Sequence, residues 1–208
     1  RLKAHPNAVH LGSLYEMRGR TYCIRRQYAR STFYFMEALK VRESIGDSAG
    51  LARTWMLVAD QNFYLGNTAK AVDFGRMAHA MALRSGDSAA IGRTANGLGY
   101  YLLRQGAYDE AEDLFQLALK CNSRSDSFHI SNNINNLGMA RLYKGDRSLA
   151  VARYRQAAGI RARMRELPGL GESLHGLLLC DTLGDRMVEN KALLDSCLSV
   201  ASTCRDWN

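Results

Sequence analysis

Apolar residues recur at helical spacing along most of the chain, in stretches that short turns separate. Four turns follow one another every 39 or 40 residues: Leu65-Gly66-Asn67, Gln105-Gly106-Ala107, Lys144-Gly145-Asp146 and Leu183-Gly184-Asp185. Arg25-Arg26-Gln27 occupies the equivalent place one period upstream. A period in the range of roughly 20 to 50 residues is typical of repeat arrays, so the pattern predicts five stacked helical hairpins over nearly the whole chain.

Small and large side chains keep the same register from one predicted hairpin to the next. In the hairpin at residues 88–124, we expect Gly106 to end the first helix and Phe115 of the second helix to fill the space beside Gly99 and Ala111. Small residues recur at three equivalent positions: Gly19, Ala59, Gly99 and Gly138; Ser31, Ala71, Ala111 and Ala150; Ala38, Ala78, Ala118 and Ala157. This register predicts close packing of the two helices around one large side chain.

These residues resemble the tetratricopeptide repeat. Its pattern of Leu-Gly, Ala, aromatic and Ala is matched by Leu98-Gly99, Ala111, Phe115 and Ala118, and again by Leu137-Gly138, Ala150, Tyr154 and Ala157. The resemblance implies an all-α fold, a right-handed superhelical α-solenoid of about five antiparallel helix-turn-helix repeats. The period of about 40 residues exceeds the family's common 34. This long form is similar to the arrays of bacterial signalling and regulatory proteins.

The expected domain organisation is a single repeat domain over residues 1–208, which we expect to be a segment of a longer protein. The expected repeats are approximately 8–46, 47–86, 87–125, 126–166 and 167–204. The last repeat fits the pattern least well, as terminal repeats usually do.

Composition narrows the class of protein. With 47% apolar residues the chain can bury a core, and its formal net charge of +8 favours acidic partners only weakly. No apolar run approaches the roughly 20 residues of a membrane span, and no secretory signal is recognisable. We therefore expect a cytoplasmic protein that has no membrane contact. Five cysteines without C-x-x-C spacing favour buried thiols over disulfides or zinc ligands.

Motifs that could carry catalysis have simpler interpretations. Gly46-Asp47-Ser48-Ala49-Gly50 is similar to the nucleophile segment of a serine hydrolase, but Gly86-Asp87-Ser88 and Ser125-Asp126-Ser127 occupy the same phase. Recurrence in this phase indicates turns and helix caps. The five histidines show no metal-ligand spacing. We expect no enzyme, no metal and no cofactor.

In stacked hairpins the first helices line the inner, concave surface, and the resemblance assigns partner contacts to it. The implied binding residues are Arg20, Arg53, Asp60, Tyr64, Arg93, Asn96, Tyr100, Arg104, Asn132, Asn135, Met139 and Tyr143. Tyrosine offers a flat apolar face, asparagine can bond a peptide backbone, and arginine can hold a carboxylate or phosphate. The alternatives are ordinary solvated groove residues and, for the asparagines, structural hydrogen bonds between repeats.

The sequence favours a protein- or peptide-binding scaffold, the sensory or interaction part of a cytoplasmic signalling or transcription regulator. The alternative is nucleic-acid binding by a basic surface that includes the arginines between positions 147 and 165, among them Arg161. A last apolar stripe predicts self-association or docking of an effector domain: Leu193, Leu194, Cys197 and Leu198.

Overall fold

The computed structural model describes residues 6–122 and 126–182, and within these ranges the chain is all-α. The helices in these ranges are α1 Pro6–Ile24, α2 Tyr28–Ser44, α3 Ser48–Tyr64, α4 Thr68–Ser85, α5 Ser88–Gln105, α6 Tyr108–Cys121, α7 Ser127–Tyr143, α8 Arg147–Met164 and α9 Leu167–Thr182. The chain divides into two compact units, unit 1 at residues 1–107 and unit 2 at residues 108–208. The predicted all-α helical-repeat class is confirmed.

The turns between paired helices require left-handed backbone. The φ angle is 80° at Gly66, 93° at Gly106 and 82° at Gly145. Glycine adopts this conformation without steric cost, which explains why it recurs once per period. Arg26 adopts φ 57° at the equivalent turn of the first hairpin. Gly184, the last predicted turn glycine, lies outside the described residues.

The Asp-Ser segments are helix caps, as the repeat phase predicts. The Asp47 Oδ1 atom accepts a hydrogen bond from the backbone N–H of Gly50 at 2.8 Å. The Asp87 Oδ1 atom accepts one from the N–H of Ala89 at 2.9 Å. These bonds satisfy backbone donors that the first turn of a helix leaves without partners. The likeness of residues 46–50 to a hydrolase nucleophile therefore reflects capping.

Large aromatic side chains occupy the space that glycines leave in the facing helix. A Cβ atom at Gly19 would lie 2.5 Å from the ring of Phe35, which is only 1% exposed. In unit 2 a Cβ atom at Gly138 would lie 3.1 Å from the Tyr154 ring. The predicted pairing of small and large residues is confirmed at both places, and it brings the paired helices close together.

A buried arginine joins three helices of unit 1. Arg42, near the end of α2, is 1% exposed. Its Nη1 lies 2.6 Å from Oδ2 of Asp47, the cap of α3, and its Nη2 lies 3.0 Å from Oε2 of Glu16 on α1. A Cβ atom at Gly50 would overlap both the Arg42 guanidinium and the Asp47 carboxylate. Gly50 thus leaves the space that this ion pair needs.

Unit 2 contains the same arrangement. Arg161 is 2% exposed, lies 3.9 Å from Glu166, and would be overlapped by a Cβ atom at Gly169. Burial lowers the pKa of Arg161, and the nearby carboxylates oppose that shift. The second repeat instead has two buried alanines, Ala82 and Ala90, at the positions of the arginine and the glycine. The arginine and the glycine therefore occur together or are both replaced.

Candidate functional site

Three arginines from three successive first helices line one cleft of unit 1. Helices α1, α3 and α5 are neighbours in that order. Their arginine cleft has a volume of about 250 Å³ and is lined by Arg20, Ala49, Ala52, Arg53, Met56, Leu57, Ala90, Arg93 and Thr94. Alanines, Met56 and Leu57 make most of its wall apolar, while the guanidiniums supply positive charge.

The 40-residue period explains how two of these arginines meet. Arg53 and Arg93 stand one period apart in sequence, so they lie at the same height on adjacent helices. Arg20 is in a different phase, equivalent to Asp60, and its long side chain reaches the cleft from α1. One arginine from each of the three helices thus reaches the cleft.

A buried carboxylate fixes Arg53. The Nε atom of Arg53 donates to Oε2 of Glu16 at 2.9 Å, while Glu16 is 6% exposed. Thr54 also donates to Glu16, at 2.5 Å, and Arg42 pairs with the same carboxylate. Because the Glu16 bond uses Nε, the Nη groups of Arg53 stay outside that contact and can face a ligand. Arg42 and Arg53 thus share the Glu16 carboxylate.

Beside the cleft lies an acid-aromatic cluster, formed by Asp60, Phe63 and Tyr64 of α3 with Tyr100 and Tyr101 of α5. The Tyr101 hydroxyl donates to Oδ1 of Asp60 at 2.5 Å. The Phe63 ring centroid lies 5.4 Å from that of Tyr100 and 5.3 Å from that of Tyr101. Tyr64 is 76% exposed, whereas Tyr101 is 2% exposed.

Burial dominates the electrostatics of this cluster. Desolvation raises the pKa of Asp60 above its ordinary value, although the hydrogen bond from Tyr101 and the charge of Arg20 both lower it. Burial also raises the pKa of Tyr101, and the adjacent Asp60 charge adds to that rise. A carboxylate with a raised pKa is incompletely compensated for its lost hydration. Additional positive charge near Asp60 would therefore be favourable.

The other two predicted residues of unit 1 also lie on α5. Asn96 is half-buried, and Arg104 is exposed in the last turn of the helix. Unit 1 thus brings Arg20, Arg53 and Arg93 together in the cleft. Asp60, Tyr64 and Tyr100 form the adjacent cluster.

The four predicted residues of unit 2 all lie on α7, and each has a packing role there. Asn135 is 4% exposed and accepts a hydrogen bond from the Ser173 hydroxyl of α9 at 2.9 Å. Met139 packs against a buried cluster that includes Tyr154. The ring of Tyr143 stacks on that of Tyr108, with centroids 5.5 Å apart.

Asn132 accepts a hydrogen bond from Nη2 of Arg161 at 2.6 Å. Asn135 therefore makes a structural hydrogen bond between repeats, as the alternative describes, whereas the bond of Asn132 joins the two helices of its own predicted repeat. Arg161 is correspondingly a poor member of a basic surface, because it is buried between α7, α8 and α9. A buried arginine cannot reach a nucleic-acid phosphate.

Sequence reasoning missed the residues that hold the site in place. Glu16, Arg42 and Tyr101 are buried polar groups whose partners lie on or cap other helices, so the spacing of apolar residues does not identify them. One signal was present: Arg42 and Arg161 occupy the same phase, each with an acidic residue five positions later and a glycine eight positions later. Leu193, Leu194, Cys197 and Leu198 lie outside the described residues, so their docking role stays a prediction.

The described part of the chain also bears on two other kinds of site, a metal centre and a membrane span. It contains no group of His, Cys, Asp and Glu side chains that could hold a metal ion. None of its helices has the length and apolarity needed to cross a membrane.

Comparison with known proteins agrees with this architecture. Residues 90–163 match the family model of the tetratricopeptide repeat. The crystal structure of BtubC from P. vanneervenii is similar, with 18% identity, a TM-score of 0.84, and coverage of 95% of this chain and 82% of that chain. No curated protein matches the sequence significantly.

Two other solved structures share the fold. A Rap protein complexed with competence and sporulation factor shows 14% identity and a TM-score of 0.76, over 92% of this chain and 54% of that chain. A signal transduction ATPase with a tetratricopeptide repeat sensor, from Pyrococcus horikoshii, shows 14% identity and a TM-score of 0.78, over 94% and 31%. The chain thus spans about half of the first and a third of the second. Residues 90–163 thus match the tetratricopeptide repeat, and the described helices share the fold of these solved structures.

Proposed function

We propose that the chain binds a protein or extended peptide on the face of unit 1 that α1, α3 and α5 form, here called the first-helix face. The arginine cleft on this face would hold an acidic side chain of that partner. One observation carries the proposal: Arg20, Arg53 and Arg93, from three separate helices, line the same small cleft. Guanidinium groups bind carboxylates through paired, charge-assisted hydrogen bonds. The apolar wall suits the aliphatic part of the bound side chain.

The role we infer is regulatory and non-catalytic. A binding face on a helical-repeat scaffold fits the sensory or interaction part of a cytoplasmic signalling or transcription regulator. The repeat sensor named in the Pyrococcus horikoshii ATPase and the factor bound to the Rap protein support this proposal by fold analogy. The effector of such a regulator would belong to other parts of the protein.

Selection from a displayed library of random peptides tests the binding chemistry. We expect peptides selected on the wild-type chain to be enriched in Asp and Glu. Arg93 is exposed, so Arg93→Glu should leave the fold intact. It should weaken the affinity for the selected peptides by roughly 10- to 100-fold, which is the effect of losing one charge-assisted hydrogen bond. Arg84→Glu, an equal charge change on the exposed end of α4, is the matched control and should have little effect.

Two results would overturn the proposal. One is a selection that yields no binder or yields binders without acidic enrichment. The other is equal weakening by Arg84→Glu and Arg93→Glu, because that would indicate a general charge effect in place of a defined cleft.

A further inference from the structure

The acid-aromatic cluster and the arginine cleft lie on one face at a defined spacing. Arg53 and Asp60 are seven residues apart on α3, which is nearly two helical turns and about 10 Å of rise. Arg93 and Tyr100 repeat the same spacing on α5. The face therefore carries a positive site and, about 10 Å along the helices, a negative and aromatic site.

The cluster has the groups that recognise a cation. Asp60 offers a half-buried carboxylate whose Oδ1 accepts a hydrogen bond from the Tyr101 hydroxyl, and burial raises the pKa of Asp60. Tyr64, 76% exposed, and half-buried Tyr100 present aromatic rings beside it. Cations bind favourably over aromatic rings, most strongly where water is partly excluded. Phe63 packs against both tyrosines with centroid distances of 6.3 and 5.4 Å and holds the rings together.

We propose that Asp60, Tyr64 and Tyr100 bind a lysine or arginine side chain of the same segment whose acidic residue occupies the arginine cleft. This inference rests on the proposed function, and it specifies the ligand further. A segment in polyproline II conformation has three residues per turn and advances about 3.1 Å per residue, so an acidic and a basic residue three positions apart lie on the same face, about 9 Å from each other. The preferred ligand is a zwitterionic segment.

Arg20 couples the two subsites. It lines the arginine cleft, and its charge also lowers the pKa of Asp60. A ligand cation at Asp60 takes over that compensation, which leaves Arg20 available to the ligand carboxylate. The two ligand charges should therefore favour each other's binding beyond the sum of their separate effects.

Fluorescence anisotropy with designed peptides tests this subsite. The probes are variants of one display-selected acidic peptide whose Glu is proposed to occupy the arginine cleft. In each variant, the residue three positions before or three positions after that Glu is either Lys or Ala. On the wild-type chain we expect Lys to bind roughly tenfold more tightly than Ala in one of the two orders. That gain should fall below about twofold in Tyr64→Ala and in Asp60→Asn. Asp73→Asn, at an exposed site on α4, is the control and should keep the gain.

The outcomes separate the two proposals. If Lys gives no gain in either order, or the same gain in Tyr64→Ala, the cation subsite is wrong while the arginine cleft stands. Tyr64 is exposed, so the loss of its ring leaves the fold intact. If no acidic peptide binds the wild-type chain at all, the proposed function fails and the subsite fails with it.

Discussion

The buried ion pair at Arg42 allows a quantitative test, because the next repeat shows what replaces it. Arg42 and Gly50 correspond to Ala82 and Ala90 one period later. The variants are Arg42→Ala, Gly50→Ala and the double variant, which gives the first repeat the pair of alanines found in the second. Both alanines of the second repeat are buried, and Asp87 between them still caps α5 through the N–H of Ala89.

Each single change should be costly. Removal of one partner of a buried ion pair typically costs 3–5 kcal/mol. Arg42→Ala should cost about 3 kcal/mol, because Glu16 keeps its contacts with Arg53 and Thr54. Gly50→Ala forces a methyl group into the guanidinium and should cost about 2–3 kcal/mol, as other overpacked sites do.

The double variant should be far more stable than the sum of the two costs implies. When Arg42 is also replaced, the new methyl group at position 50 no longer meets a guanidinium. The Asp47 carboxylate can then take the position that Asp87 has beside Ala90. We expect a total loss of about 3 kcal/mol and therefore an interaction energy of about 2–3 kcal/mol between the two sites. Urea unfolding followed by circular dichroism measures it: with a slope near 2 kcal/mol/M, the double variant should lose about 1.5 M in midpoint. Costs that add within about 0.5 kcal/mol would refute the steric coupling.

Two further predictions concern packing and pH. Gly176→Ala should destabilise the chain by about 1–3 kcal/mol, because its methyl group would overlap the Tyr154 ring. The control is Gly159→Ala, which should be neutral or stabilising because the nearest atom to its methyl group is 3.8 Å away. Equal urea midpoints for the two variants would contradict this packing. Burial lowers the pKa of His79 below its ordinary 6.5, so the unfolded chain binds a proton at this side chain more readily than the folded chain does. The contribution of His79 to the free energy of unfolding should therefore be complete above pH 6.5 and decline as the pH falls below 6.5. His79→Gln should flatten that decline in urea midpoints measured across this range, and an unchanged decline would assign it to other groups.

Periodic features of the fold could be predicted from the sequence. Gly66, Gly106 and Gly145 recur because each hairpin turn needs left-handed backbone, and the small residues recur because each hairpin packs one large side chain. Arg26 breaks the first rule, since its φ of 57° is adopted by a residue that rarely takes it. The turn nonetheless keeps its backbone hydrogen bonds, from the N–H of Arg26 to the carbonyl of Cys23 and from the N–H of Gln27 to that of Tyr22, both at 2.9 Å.

The site could be predicted only in part, because its residues depend on contacts between repeats. Arg53 and Arg93 share a phase, so their meeting follows from the period. Asn132 and Asn135 look like surface residues until Arg161 and Ser173, from later helices, are seen to bond with them. Such long-range partners have no local signal, because side-chain reach decides them.

Photo-crosslinking tests most directly whether the first-helix face of unit 1 holds the partner. A benzophenone amino acid would replace Leu57, which lines the arginine cleft, or Met77, which is 43% exposed on α4. With the display-selected acidic peptide as probe, the account predicts crosslinks from position 57 that excess unlabelled peptide abolishes, and none from position 77. Crosslinks from position 77 alone, or equally from both, would contradict it.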